Sequence, residues 1–143
     1  MANHVDTASL HAGYELPPVE KTIFQRALAE RSFSEDSIHN NQYTMQHGYP
    51  GALVSAYVLA GYMSEPMVTF FGASWFTTGE ISLRFIGKGL QQGDQVTCGA
   101  KVREIIDASP GGLPRVVFDV WMEKDGGVRP VLGTASALLG EPS

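Results

Sequence analysis

The sequence predicts an α+β fold in which an antiparallel β-sheet wraps around one long, buried central helix. Two observations predict it. Residues 51–64 are apolar on almost every side and lie between Pro50 and Pro66, and several segments with strand-like alternation follow them. A helix that is apolar all round is buried rather than amphipathic, and this one is too short for a bilayer, which takes about 20 apolar residues. An antiparallel sheet commonly buries one of its faces, and this helix is the element that can pack on that face.

Composition limits the classes of function. The 143 residues predict a single domain over residues 1–143, with residues 1–12 as a loose terminus. The net charge of −5 argues against nucleic-acid binding, and the single cysteine, Cys98, excludes an internal disulfide. No basic and apolar leader is visible, so we expect a cytoplasmic protein with no membrane partner. Neither zinc-ligand spacing nor a nucleotide-binding glycine motif occurs, so no metal or cofactor is expected.

The elements before the central helix are short. Two prolines predict an extended segment over residues 14–23, which runs into a short helix before residue 31. Residues 33–41 form a polar loop. An asparagine at the end of that loop is suited to cap a short helix over residues 42–46, which Gly48 ends.

The elements after the helix are predicted to be strands. Residues 67–71 are a short apolar run of strand type, and residues 72–79 are a mobile connection that borders a pocket. Strands are predicted at 79–86, 95–106, 115–123 and 128–139, each from alternating apolar side chains. The pair Asp125–Gly126 is a hairpin signal between the last two strands.

Three stretches resemble a known family. They are the polar loop 33–41, the turn Gly48-Tyr-Pro-Gly51 into the helix, and the stretch Leu83-Arg-Phe-Ile-Gly-Lys-Gly-Leu-Gln-Gln-Gly-Asp94. Together they are similar to the MaoC-like hot-dog family of (R)-specific enoyl-thioester hydratases and dehydratases, over residues 14–139. The resemblance implies a single hot-dog domain and a thioester substrate carried by coenzyme A or by a carrier protein. It also implies a homodimer or a dimer-based oligomer.

The resemblance places candidate catalytic residues in the polar loop. His39 falls on the family's histidine position, and Asn41 lies two residues beyond it, where the family often has Asp or Asn. The family's aspartate position, five residues before the histidine, is Ser34 here, and Asp36 lies out of register. The family's His-Gly pair in the helix corresponds to Ser55-Ala56.

Hydration of an enoyl thioester needs a base for water, an acid for the α-carbon and donors that polarise the carbonyl. We assign His39 as the base, since an imidazole group in general titrates near neutrality, with Asp36 as a substitute acid and Ser34 to hold water or orient His39. The alternatives are a loop histidine bonded to a backbone carbonyl, a capping or turn aspartate and a simple loop hydroxyl.

Substrate binding is assigned to two further groups. Backbone amides near Ser55 and Ala56 would polarise the carbonyl at the helix N-terminus, and Trp75 would wall the pocket or pack in the core. Asn41 either binds the substrate or caps the following helix.

Cys98 alternates with apolar neighbours and is predicted to be a buried structural thiol. Four cations are candidates for the phosphates of the carrier, against the alternative of solvated surface charges: Arg84, Lys88, Lys101 and Arg103.

Three functions compete. The first is a lyase that adds or removes water at C2–C3 of an acyl thioester. The second is a thioesterase, which usually has a carboxylate in the central helix; residues 51–64 have none, and Glu65 comes only at their end. The third is a tailoring enzyme that reuses the pocket for cyclisation or isomerisation in secondary metabolism, or a ligand-binding module, because a fold does not determine its function.

Overall fold

A five-stranded antiparallel sheet with two helices on one face makes up the described structure. The computed structural model describes residues 10–24, 56–87, 89–91, 93–107 and 112–140. The elements in chain order are β1 (Val19–Thr22), α1 (Ala56–Phe71), α2 (Ala73–Thr78), β2 (Glu80–Phe85), β3 (Gln95–Ile106), β4 (Arg115–Glu123) and β5 (Val131–Leu138). The predicted α+β class is confirmed.

The strands lie in the order β1-β3-β4-β5-β2, and every neighbouring pair is antiparallel. Their side chains alternate between two faces, as the sequence pattern predicts. In β4, the core face consists of Val116, Phe118, Val120 and Met122, all buried. The strand before it contributes Val96, Cys98, Ala100 and Val102 to the same face. We call this face the inner face of the sheet and the opposite one the outer face.

Helix α1 packs on the inner face through a stripe of apolar side chains. The residues of the stripe follow one another at intervals of four, so they lie on one side of the helix. The stripe consists of Leu59, Met63, Met67 and Phe71, all buried. Phe118 of β4 meets this stripe edge to face, 5.8 Å from Phe71 between ring centroids. The helix is not covered on every side within the described chain, because Gly61 and Thr69 are exposed.

The prediction of a strand over residues 67–71 is wrong, because α1 continues through Pro66 as far as Phe71. A proline inside a helix lacks one donor and costs about 3 kcal/mol or more. Full burial of a Met or Phe side chain contributes about 1.5–3 kcal/mol each. Met67 and Phe71 continue the spacing of Met63, so a helical continuation buries both and offsets the cost of the proline.

Residues 72–79, which the sequence predicts to be a mobile connection, contain helix α2 over Ala73–Thr78. Hydrogen bonds join this helix to β5. The Ser74 hydroxyl donates to the carbonyl of Leu138 at 2.7 Å, and the amide of Leu138 donates to Thr78 Oγ1 at 3.0 Å. Serine and threonine four residues apart meet on one side of a helix, and this spacing lets both reach the same strand residue.

The last hairpin turns where predicted, at Asp125–Gly126, with the Gly126 φ at +83°. Strand β5 starts at Val131 rather than at residue 128, because the carbonyl of Val128 still accepts a turn hydrogen bond from the amide of Lys124 at 2.7 Å. In the described part of the chain, no helix combines the length and the apolar character needed to cross a membrane.

Candidate functional site

Most predicted site residues lie outside the described structure. These are the catalytic candidates Ser34, Asp36 and His39 and the substrate-binding candidates Asn41 and Ser55. Their roles stay predictions. Ala56 is the first described residue of α1, so its backbone belongs to the helix that was expected to supply carbonyl-polarising amides.

Trp75 is the predicted site residue whose side chain is described, and it lies in α2 against α1. Its indole ring stacks on Phe71 at 6.2 Å between centroids with an interplanar angle of 15°, and the residue is 9% exposed. Its ring also covers Gly79, where a Cβ atom would come within 2.6 Å of Cε3. Trp75 is therefore a core side chain between the two helices, and contact with substrate stays a prediction. Its neighbour Phe76 is 76% exposed.

A hydrogen-bonded clasp joins α1 to the chain just after β1. The hydroxyl of Tyr62 accepts from the amide of Phe24 and donates to the carbonyl of the same residue, both at 3.1 Å. The backbone of Ile23, one residue earlier, pairs with Gly93 and Asp94. The chain leaves the described structure at Phe24 and re-enters it at Ala56, six residues or about 9 Å along the helix axis from Tyr62. The segment between these two points contains the catalytic candidates.

An ion pair lies beside the clasp. Lys21 Nζ of β1 is 2.5 Å from Glu65 Oε2 of α1, one helical turn beyond Tyr62. The hydrogen bond to Glu65 raises the pKa of Lys21 above its ordinary value, and the negative charge of that carboxylate acts in the same direction. Both side chains remain partly exposed to solvent, so the pair contributes little to stability.

Cys98 is fully buried beneath this ion pair, which confirms the prediction of a structural thiol. Burial raises the pKa of the Cys98 thiol to about 11, and the nearby charge of Glu65 adds to the effect. The thiol is therefore protonated at neutral pH and has no access to solvent, so it is not an available nucleophile.

The cations that were candidates for carrier phosphates lie elsewhere. Arg84, Lys101 and Arg103 line a groove on the outer face of the sheet, whereas the helices occupy the inner face; Lys88 lies outside the described residues. Within those residues no three His, Cys, Asp or Glu side chains come together as a metal site would require.

Sequence reasoning missed the clasp and the ion pair. Tyr62 lies 38 residues from Phe24, and no local pattern relates the two. The available signal was weak: tyrosine in an apolar helix needs a partner for its hydroxyl, and a half-buried lysine near the end of a strand needs a carboxylate.

Comparison with known proteins identifies the fold. No protein-family model matches the chain, and no curated protein matches it significantly. Among solved structures, it is similar to a MaoC-like dehydratase from Rhodospirillum rubrum, with a TM-score of 0.70 and 14% identity over 96% of this chain and 98% of that one. It is also similar to an (R)-hydratase from A. caviae involved in PHA biosynthesis, with a TM-score of 0.64 and 20% identity over 94% of this chain and 100% of that one.

A structure of the fluoroacetyl-CoA thioesterase FlK aligns less well, with a TM-score of 0.50 and 12% identity over 91% of this chain and 87% of that one. The predicted resemblance is confirmed at the level of the fold: the chain has the hot-dog fold of the MaoC-like proteins.

Proposed function

We propose that this chain, which has the hot-dog fold of MaoC-like dehydratases and (R)-hydratases, is a lyase that adds or removes water at C2–C3 of an acyl thioester. The observation that carries the proposal is the agreement of two independent likenesses. The fold aligns over nearly the whole chain with proteins of those two activities, and the sequence of residues 33–41 resembles the histidine-containing segment of the MaoC-like family.

The proposed chemistry uses few groups. His39 takes a proton from water, and the water oxygen forms a bond to C3 as the C2–C3 double bond opens. The electron pair moves to C2 and the thioester oxygen, where backbone amides near Ser55 and Ala56 stabilise the developing charge. A proton then reaches C2 from an acid, for which Asp36 is the candidate. Ser34 holds the water or orients His39. Dehydration is the reverse sequence.

The described structure argues against covalent catalysis through Cys98, the single cysteine of the chain. Cys98 is sealed in the core and protonated at neutral pH, so it does not accept an acyl group. The clasp at Tyr62 holds the strand that leads into the candidate loop against α1, from which the carbonyl-polarising amides would come. The two hydrogen bonds fix the end of the described chain at Phe24 against α1, and a fixed entry to the candidate segment is consistent with the positioning that catalysis requires.

A thioesterase is the weaker alternative. In α1 as described, Glu65 is the single carboxylate, and its Oε2 is engaged by Lys21 at the side of β1. A tailoring enzyme for cyclisation or isomerisation, or a ligand-binding module, is the other alternative, and it is favoured by Ser34 at the family's aspartate position.

We also propose a homodimer of cytoplasmic location whose substrate is carried by coenzyme A or by a carrier protein. In the described sheet, β1 and β2 each have one neighbouring strand, so each leaves an edge of unpaired backbone groups. Exposed edges are a liability that proteins cover or pair, and the exposed Phe85 and Ile86 at the end of β2 extend the apolar surface there.

The test is loss of enoyl absorbance when the protein is incubated with crotonyl-CoA and with a medium-chain enoyl-CoA. The His39→Ala variant is compared with His11→Ala, a matched control whose exposed imidazole has a hydrogen bond with the neighbouring Ala12 carbonyl and an edge contact with the Tyr14 ring. We expect turnover in the parent protein and in His11→Ala and at least about a hundredfold loss in His39→Ala.

Thiol release, followed in the same reactions, separates the alternatives. Release without loss of the enoyl group would identify a thioesterase. Neither signal, with acyl-CoA retained by the protein, would refute the lyase proposal for these substrates and favour the binding or tailoring alternative.

A further inference from the structure

The outer face of the sheet has an ordered transverse row of polar side chains. The strand register places Ser82 of β2 opposite Thr134 of β5, Thr134 opposite Asp119 of β4, and Asp119 opposite Lys101 of β3. Glu15 extends the row through a bridge to Lys101. Because antiparallel partners point to the same face, these side chains line one continuous groove with a volume of about 650 Å³.

The adjacent row places an aromatic anchor in the same groove. Trp121 lies opposite Gly99 of β3, and its ring fills the space where a Cβ atom would be, 2.3 Å from Cε2. Arg129 Cζ stacks 4.4 Å from the centroid of the ring, and Arg129 Nε bonds Glu123 Oε1 at 3.0 Å. The indole is therefore held in one orientation before any partner arrives, which lowers the entropy cost of binding.

The charge of the groove opposes that of the rest of the chain. Four of the ten basic side chains of this net-negative protein line it: Arg84, Lys101, Arg103 and Arg129. Arg103 pairs with Asp119 at 2.9 Å. Arg84 and Lys101 have no ion pair with any carboxylate in the described part of the chain, and Glu15 is the remaining acidic residue of the lining. Arg129 is likewise paired with Glu123, so the groove keeps a small positive excess, from Arg84 and Lys101 against Glu15, on an acidic molecule.

We infer that the outer-face groove docks an acidic segment of a partner protein, with carboxylates on Arg84 and Lys101 and an apolar side chain against Trp121 and Leu132. Tryptophan and arginine dominate the binding energy of protein interfaces, and arginine matches the geometry of carboxylates. The inference is independent of the proposed function, because the groove lies on the face of the sheet opposite to the helices.

Other occupants fit less well. Small-molecule pockets enclose most of their ligand, whereas this groove is only partly enclosed and extends across four strands. A second copy that docks groove to groove would set the unpaired cations of both copies against each other. Nucleic acid would meet the acidic remainder of the chain around the groove.

The experiment measures binding of a fluorescent ten-residue glutamate peptide by anisotropy, with the full chain, at about 20 mM and about 200 mM NaCl, since screening strengthens over this range. The test variant is the double substitution Arg84→Gln with Lys101→Gln. The control, Lys21→Gln with Lys124→Gln, changes the net charge equally at two cations that do not line the groove. Thermal unfolding verifies that all three proteins are folded.

We expect the peptide to bind, with a dissociation constant that rises about tenfold in the test variant, less than about twofold in the control and about tenfold at the higher salt. The inference is overturned by an absence of binding at low salt, by an equal loss in test and control variants, or by tighter binding of pyrophosphate or of a ten-nucleotide single strand. It is also overturned if sedimentation shows that the test variant loses an oligomer that the parent protein forms, because a second copy then covers this face.

Discussion

Replacing Tyr62 by Phe removes one hydroxyl and leaves the ring in place, so it tests the clasp alone. That hydroxyl makes two hydrogen bonds with the backbone of Phe24, both 3.1 Å long. An intramolecular hydrogen bond contributes about 0.5–1.5 kcal/mol net. Because Phe24 is 55% exposed, water replaces the lost partner at its amide and carbonyl. We therefore expect the free energy of unfolding to fall by about 1 kcal/mol rather than by 3.

Urea denaturation measures this loss. With a slope of about 1–3 kcal/mol per molar for a small domain, a loss of 1 kcal/mol lowers the midpoint by about 0.3–1 M. The matched control is Tyr14→Phe, whose hydroxyl bonds no group within the described residues and whose loss we expect to change stability by less than about 0.5 kcal/mol.

A second readout locates the effect at the clasp. The amide of Phe24 donates to the Tyr62 hydroxyl, so its hydrogen exchange should accelerate in Tyr62→Phe and stay unchanged in Tyr14→Phe. If Tyr62→Phe and Tyr14→Phe unfold at the same urea concentration and the Phe24 amide exchanges equally in both, the clasp does not hold β1 to α1 and the reasoning fails.

Two further predictions concern packing and pH. Gly133→Ala should destabilise the fold by at least about 2 kcal/mol, because the new Cβ would come within 2.0 Å of the Ser82 carbonyl oxygen on the neighbouring strand. Gly61→Ala is the control, since the space around Gly61 in α1 is open. This substitution should stabilise the fold by up to about 1 kcal/mol. Urea midpoints that move equally for both substitutions would contradict the packing argument. Burial raises the pKa of Cys98 from 9.0 to about 11, so between these values the unfolded chain loses a proton that the folded protein keeps. The free energy of unfolding should therefore fall by about 2–3 kcal/mol as pH rises through this window. Cys98→Ala should remove this pH-dependent loss. Equal slopes in unfolding experiments from pH 8 to pH 11 would show that Cys98 is not buried as described.

Much of the sheet could be predicted because strand patterns are local. The bounds of β3 and β4 agree with the alternating segments, since each successive side chain of a strand faces the opposite side and only one side meets the core. The hairpin at Asp125–Gly126 follows from the two residues of the turn themselves.

The region of residues 66–79 could not be predicted in the same way. A short apolar run after a proline suits a strand or a helix equally well, and the choice depends on what it packs against. Met67 and Phe71 meet the inner face of the sheet only if α1 continues through Pro66. That sheet is built from residues far along the chain.

The candidate site also has a part that the sequence predicts and a part that only the structure shows. The resemblance of the loop names His39, Asp36 and Ser34, and these assignments stay predictions because the described residues do not include them. The contacts of the described residues on either side of that segment join residues distant in sequence, such as Tyr62 with Phe24.

The sequence by itself determined the class of fold, the faces of the long strands and the burial of Cys98, because each of these follows from the polarity of residues close together in the chain. Only the tertiary structure decided how far α1 extends, that Trp75 belongs to a helix, and that Arg84 and Lys101 share one groove with Trp121. Each of these depends on which strands lie side by side, and the free energy that settles it comes from contacts between segments that local patterns do not relate.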